Sequence, residues 1–551
     1  MSETKKEKKE LNIFKFIKKT SISRLIISCV FSLALFYMSK IVFLGYVFEE
    51  NYMEKFYFSE YKILFLWIPI VYLLLYIIEK GYIKLINYLS FTDNTKYKKK
   101  FCGIFFVIIL VVYLFYFLTF YPGGVYIDTW TSLEMLNGEK ELTTQQPVLY
   151  TALLNIVKAF NTDYYTGFAI ITALQSLLMI SIITYFIYWL LDKGLNPIIV
   201  FFISLFFIFF RLYPLYSVSV WKDTPFSLML FLYTLVMINM IFEFNDNKIK
   251  ISTIISMNIL TILIIFLRSN GIYLVLVSLI VLILSFIKKI IKEKIIHFKA
   301  FIISILSTVA LCIVLQHVLI NCGIKESPKV EMLAIPVQQV ARVVAVDGNI
   351  NDSQKELIEK VMPTEMIKTK YRALLVDKIK WEDSFNEDYL YDHMPEYFKL
   401  WFELLLQNPS EYIISYLLET SGFWTFNVVG PEAYHSAVTW ETLNDKVQNQ
   451  NLIADNTNFD FKENMLAIGY YSGGFFFWIM VLSIFITFRL CDKKYLIGYI
   501  VPLTLWLTVM VSTPMGQALR YVYILVLVLP LNIIYPIIFS KKFETCTKNE
   551  V

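Results

Sequence analysis

Five charged residues stand where this chain enters or leaves apolar runs. Asp128 follows the run from Phe105 to Phe120. Lys222 and Asp223 open a later run, Arg268 lies in the short connection LRSNG, and Arg520 precedes YVYILVLVLP. A carboxylate held at a membrane surface can accept a proton, and guanidinium or ammonium groups beside it can hold an anion. Each residue also has a plainer reading. Asp128 suits the cap of a helix starting near Thr129. Lys222 with Asp223 suits a boundary ion pair, and Arg520 an interfacial anchor whose charge reaches the headgroups. Arg268, Ser269, Asn270 and Gly271 suit a hairpin turn, although Arg and Asn facing lipid are costly there, which favours a cavity or an anionic headgroup.

The elements that must position these residues are membrane helices. Hydrophobic residues make up 57% of the 551 and charged residues only 17%, too few to cover a soluble protein of this size. Apolar runs of helix-spanning length predict an all-α polytopic membrane protein with about twelve spans: 22–46, 61–79, 102–120, 166–191, 197–214, 223–243, 251–267, 271–288, 299–320, 466–489, 494–512 and 520–539. The piece 147–160 is short and amphipathic and is expected at the interface. The expected organisation is a basic tail 1–21, a bundle 22–320 with a polar loop 121–165, a mainly helical domain 321–465, three further spans over 466–539, and a tail 540–551. Within 321–465, helices are expected over 330–345, 355–362 and 394–427, with a break at Pro409.

Orientation follows from lysine and arginine. With the N-terminus cytoplasmic, the cytoplasmic segments carry about 27 of them and the short outer loops about 7. Both termini are then cytoplasmic, and loop 121–165, the turns at 211–223, 268–271 and 512–520, and the domain 321–465 share the outer face. The net charge of +5 reads as topology signal, with no pattern for nucleic acid. Heavy use of Ile, Lys, Asn, Phe and Tyr fits an AT-rich bacterial genome.

Several chemistries lack their residues. Six cysteines without a CxxC predict neither a disulfide framework nor a zinc site. His297, His317, His393 and His435 lack metal-ligand spacing, and no Gly-rich phosphate loop is present. Tyr121-Pro122-Gly123-Gly124 forms a tight turn ahead of Asp128, with glycines free to take positive φ. Glu331, Gln338, Gln339 and Arg342 share one expected helix, either as an ordinary solvated face or as part of a site.

On these residues the chain resembles the GT-C superfamily of membrane glycosyltransferases. It is more closely similar to bacterial GT-C-like proteins of uncharacterised function with a YPG…D…P opening, a KD-x-PF span start and an R-x-NG hairpin. The matching positions are Tyr121-Pro122-Gly123…Asp128 with Gln146-Pro147, then Lys222-Asp223-Thr224-Pro225-Phe226, then Arg268-Ser269-Asn270-Gly271. The resemblance implies a sugar moved from a polyprenyl-phosphate donor to an envelope glycan, lipid or protein, on the outer face of the cell membrane and with inversion. It implies Asp128 as base, its pKa raised by partial desolvation, and Lys222, Arg268 and Arg520 on the donor phosphate. Tyr121, Gln146, Pro147, Asp223, Asn270, Glu331, Gln338 and Arg342 are the supporting candidates. Thr129 replaces the usual second acid, so use of a divalent cation (magnesium or manganese) stays open. Gln146 stands where His or Lys is commoner. A flippase for a lipid-linked saccharide and a non-catalytic scaffold built on 321–465 are the competing expectations.

Overall fold

The computed structural model describes residues 22–42, 52–54, 57–89, 92–160, 164–426, 452, 471–513, 515–516 and 518–540. The tails 1–21 and 541–551, His435, and the stretch 427–470 apart from residue 452 lie outside the described residues.

The chain is a multi-pass helical membrane protein. Among the described residues nine helices are long and apolar enough to cross a membrane: Phe58–Tyr88, Lys98–Thr119, Tyr164–Asp192, Asp223–Asn245, Gly271–Lys292, Phe298–Asn321, Gly473–Leu490, Lys493–Val511 and Leu519–Ile538. The other three expected spans are the shorter helices Ile22–Met38, Pro197–Phe209 and Ile251–Leu267. The expected span 197–214 is broken. Its helix stops after 13 residues, with Phe210 extended, and Leu212–Ser217 forms a separate buried turn. At about 1.5 Å per residue the first piece covers about 20 Å, short of a hydrocarbon core of about 30 Å.

Burial separates central from peripheral helices. In Leu519–Ile538 and Asp223–Asn245, 89% and 72% of the most apolar window is buried, against 11% in Phe58–Tyr88. The two central helices begin at Leu519 and Asp223, and Arg520 in the first turn of one lies 3.9 Å from Asp223 at the start of the other. At the other end of the helices, Glu79 is clamped by Arg24 at 2.7 Å and Arg489 at 2.5 Å. That buried triad ties the Ile22–Met38 and Phe58–Tyr88 helices to Gly473–Leu490.

Residues 330–412 hold an apolar core of their own, from Val330 and Val337 through Ile358 and Ile379 to Leu400 and Tyr412. The expected helices are present as Ala334–Ala345, Asp352–Val361, Met394–Gln407 and Pro409–Glu419, the last pair separated by Asn408. Pro409 has no amide hydrogen to give and suits a first helical turn. The segment 147–160 forms two short helices, Val148–Leu153 and Asn155–Ala159.

This second core is stitched to the membrane part at several points. Thr144 N donates to Lys325 O at 2.8 Å, Ser512 Oγ donates to Glu331 O at 2.8 Å, and Gly516 N donates to Leu374 O at 2.8 Å.

Candidate active site

The site is assembled by a two-residue parallel strand pair. Gly124 pairs with Ser219 and Val125 with Val220. That register sets Tyr126–Asp128 beside Trp221–Asp223, and the rings of Tyr126 and Trp221 stack with centroids 3.6 Å apart. Thr129 Oγ1 donates to Val220 O at 2.5 Å and locks the two segments together.

The helix Tyr164–Asp192 supports both strands. Thr172 Oγ1 donates to Pro122 O at 2.7 Å, and Gln175 Nε2 donates to the carbonyls of Tyr216, Ser217 and Ser219. The Tyr121–Pro122 peptide is cis. Gly123 takes φ +121° with Thr172 packed against it: a Cβ there would stand 2.3 Å from Thr172 Oγ1. The expected turn is therefore present, with the positive φ at Gly123, while Gly124 joins the strand. Gly271 has a different role. A Cβ on it would lie 2.4 Å from the carbonyl oxygen of Ile264, so only glycine lets the LRSNG turn close this tightly.

Asp128 is not a helix cap. The helix is Ile127–Asn137, Tyr126 occupies the cap position, and no side chain caps it. Asp128 lies in the first turn, where the helix dipole favours an acid, and its side chain points to cations. Its Oδ2 accepts from Arg520 Nη1 at 2.8 Å and lies 3.7 Å from Lys222 Nζ. Lys222 Nζ also donates to Gln146 Oε1 at 2.9 Å. Asp223, with a side chain 1% exposed, accepts from Arg268 Nη1 at 2.5 Å, and its second oxygen is 3.9 Å from Arg520 Nη1.

Within ion-pair distance of one another, three cations thus meet two carboxylates. Trp221 and Tyr521 lie under the Arg520 guanidinium at 5.2 and 5.0 Å, and Tyr521 lies under that of Arg268 at 5.2 Å. The aromatic faces orient both guanidinium groups.

The expected rise in the Asp128 pKa is reversed. Burial pushes this carboxyl up, but Lys222 and Arg520, with Arg268 behind them, outweigh it and hold the group well below the usual carboxylate range. Burial pulls the Lys222 ammonium below its ordinary value, and Asp128 and Asp223 offset only part of that. An arriving anion would favour the charged lysine.

The remaining candidates divide into two groups. Gln146 is in the cluster, and Pro147 sits at the cap position of the helix that follows it. Tyr121 borders the turn and meets Phe117 edge-on. Asn270 reaches Thr508 Oγ1 at 3.4 Å. Glu331 approaches from the second core, accepting from Gln145 Nε2 at 3.1 Å and Lys380 Nζ at 2.6 Å. Gln338 and Arg342 are not brought to the cluster. Gln338 donates to Arg372 O at 2.6 Å, and Arg342 pairs with Glu411 at 2.9 Å, both inside the second core.

Sequence reasoning passed over Trp221, Tyr521, Asp377 and Lys380. The first two adjoin Lys222 and Arg520 directly, and that adjacency was the available signal. LLVDKIKWED carries no pattern that separates Asp377 from an ordinary surface acid.

Asp128 and Asp223 are each engaged by arginine, and among the described residues no three His, Cys, Asp or Glu side chains gather as ligands.

A family model described as a family of unknown function, DUF6020, matches residues 115–549. No curated protein and no solved structure matches the chain.

Proposed function

The chain belongs to the DUF6020 family of unknown function, and we propose that it is a membrane glycosyltransferase of GT-C type. It moves a sugar from a polyprenyl-phosphate donor to a cell-envelope glycan, lipid or protein on the outer face of the cell membrane, with both termini cytoplasmic. One observation carries the reading. Asp128, Lys222, Arg268 and Arg520 come from four separate stretches of chain and converge on one aromatic-lined spot where membrane helices begin and end.

The chemistry suits that arrangement. As the bond from the anomeric carbon to the phosphate oxygen breaks, its electron pair leaves with the phosphate. Lys222, Arg268 and Arg520 offset the growing charge. Arg520 and Arg268 present planar forks suited to phosphate oxygens. Asp128, kept ionised by its neighbours, holds Arg520 and Lys222 in place and opposes the positive charge developing on the sugar. Attack from the face opposite the phosphate inverts the anomeric centre. The flippase reading has less support, because among the described residues the charged clusters around Asp128 and Glu79 sit toward the two ends of the helices and form no path between them.

Lipid binding tests the reading. In nanodiscs the protein is expected to bind undecaprenyl phosphate at least tenfold more tightly than undecaprenol, and Lys222→Met to remove most of that preference. Equal binding of phosphate and alcohol by the wild type would remove the support.

A further inference from the structure

We propose that Asp377, from the second core, takes the proton from the acceptor hydroxyl. This rests on the glycosyltransferase reading and extends it by separating the roles of two carboxylates.

The backbone brings Asp377 to the site. Leu375 forms an antiparallel bridge with Met515, and Gly516 N donates to Leu374 O. Gly422 N in turn donates to Gly516 O at 2.7 Å. The segment that leads into Asp377 is therefore clasped to the segment that leads into Arg520. Asp377 is an electrostatic neighbour of both Asp128 and Tyr521.

Among the described residues the other acids at or beside this spot are held by cations or closed off from solvent. Asp128 is held by Arg520 and Lys222, and Asp223 is buried against Arg268. Glu331 accepts from Lys380 and Gln145. Glu419, at the end of its helix, is wholly buried. Asp377 keeps a third of its side chain exposed, and its one ion-pair partner among the described residues, Lys380 at 2.9 Å, is shared with Glu331. It can therefore meet a substrate hydroxyl and return a proton to water.

The surroundings give it the right basicity. Burial raises the Asp377 carboxyl above its ordinary value. Lys380 offsets part of the rise, and the charges of Glu331 and Asp128 add to it. Glu419 faces the same group, and its own carboxyl is driven far above the usual range by burial and then by Asp377. A base works best when its pKa approaches the working pH. Two carboxylates pushed apart by their environments divide naturally between proton transfer and charge stabilisation.

The step balances. The acceptor O–H bond breaks and its proton passes to a carboxylate oxygen of Asp377. The freed oxygen pair forms the bond to the anomeric carbon, the carbon–phosphate oxygen bond breaks, and that pair departs on the lipid phosphate. Asp377 then releases the proton to solvent.

The test supplies undecaprenyl-phosphate hexoses to nanodisc-held protein, with envelope extract from a deletion strain as acceptor. Released undecaprenyl phosphate is measured against pH. The wild type is expected to lose kcat on an acidic limb lying above the ordinary carboxylate value of about 4. Asp377→Asn should lower kcat at least about 10²-fold and abolish that limb while leaving the donor KM within threefold, and Asp377→Glu should restore the limb. Glu331→Gln, which removes a neighbouring negative charge, should move the limb to lower pH and gives a readout even if Asp377→Asn fails to fold. An Asp377→Asn enzyme with wild-type kcat and an unchanged limb, or a limb that Glu331→Gln does not move, overturns the inference. A wild type that transfers none of the hexoses overturns the glycosyltransferase reading itself, and this inference with it.

Discussion

Arg268→Ala is expected to destabilise the protein by about 3–5 kcal/mol. Asp223 has a side chain only 1% exposed and depends on Arg268 at 2.5 Å. Without that partner a buried carboxylate keeps its desolvation cost and loses most of its compensation. Arg520, 3.9 Å from the other Asp223 oxygen, returns part of it and places the effect in the lower half of that range. The double variant Arg268→Met with Asp223→Asn removes both charges and should recover most of the stability, because a buried pair contributes little beyond an apolar replacement. Thermal inactivation of the wild type, Arg268→Met, Asp223→Asn and the double variant in a double-mutant cycle measures the coupling. A single Arg268→Ala variant as stable as the wild type would mean that Asp223 is not buried as a charge.

Arg520→Met should have the largest effect on transfer, a fall of at least about 10²-fold in kcat. Arg520 hydrogen-bonds Asp128 and stands over Trp221 and Tyr521, so it links the acid to the aromatic floor. Its removal leaves Asp128 with Lys222 alone at 3.7 Å and lets the carboxyl rise toward its ordinary value. Arg520→Lys should recover only part of the rate, since an ammonium offers one point of charge where the guanidinium offers a fork. Steady-state release of polyprenyl phosphate checks both. Full activity in Arg520→Met would detach this residue from the leaving group.

Much of this arrangement is legible in the sequence for a simple reason. A charged side chain at the end of a membrane helix is costly unless it finds a partner, so Asp128, Lys222, Asp223, Arg268 and Arg520 mark their own importance. Which acid meets which base is not legible, because the pairing depends on a strand pair only two residues long. Gly124 and Ser219 lie far apart in sequence, and nothing in GGVYID or YSVSVW announces their register. The direction of the Asp128 shift is hidden from the sequence for the same reason. The sequence shows a carboxylate near lipid, whereas its pKa is set by Lys222 and Arg520, which only tertiary packing brings close.

Hydropathy predicts one span over 197–214 because it averages over Phe210, where the backbone is extended and the helix ends. Gln338 and Arg342 share the expected helix with Glu331, yet the chain passes from a 3-10 turn at Lys329–Leu333 into the Ala334–Ala345 helix. Glu331 is left against Gln145 and Lys380 while the other two turn into the second core. Asp377 had no signal, since its position comes from backbone pairing with Met515 and Gly516.

The most direct test of the account compares the envelope glycans of a deletion strain complemented with wild-type protein or with Asp128→Asn, read by mass spectrometry at matched membrane levels. The deletion is expected to lack one glycosyl substituent, the wild type to restore it, and Asp128→Asn to leave it missing. Full restoration by Asp128→Asn, or a deletion strain with unchanged glycans, would contradict it.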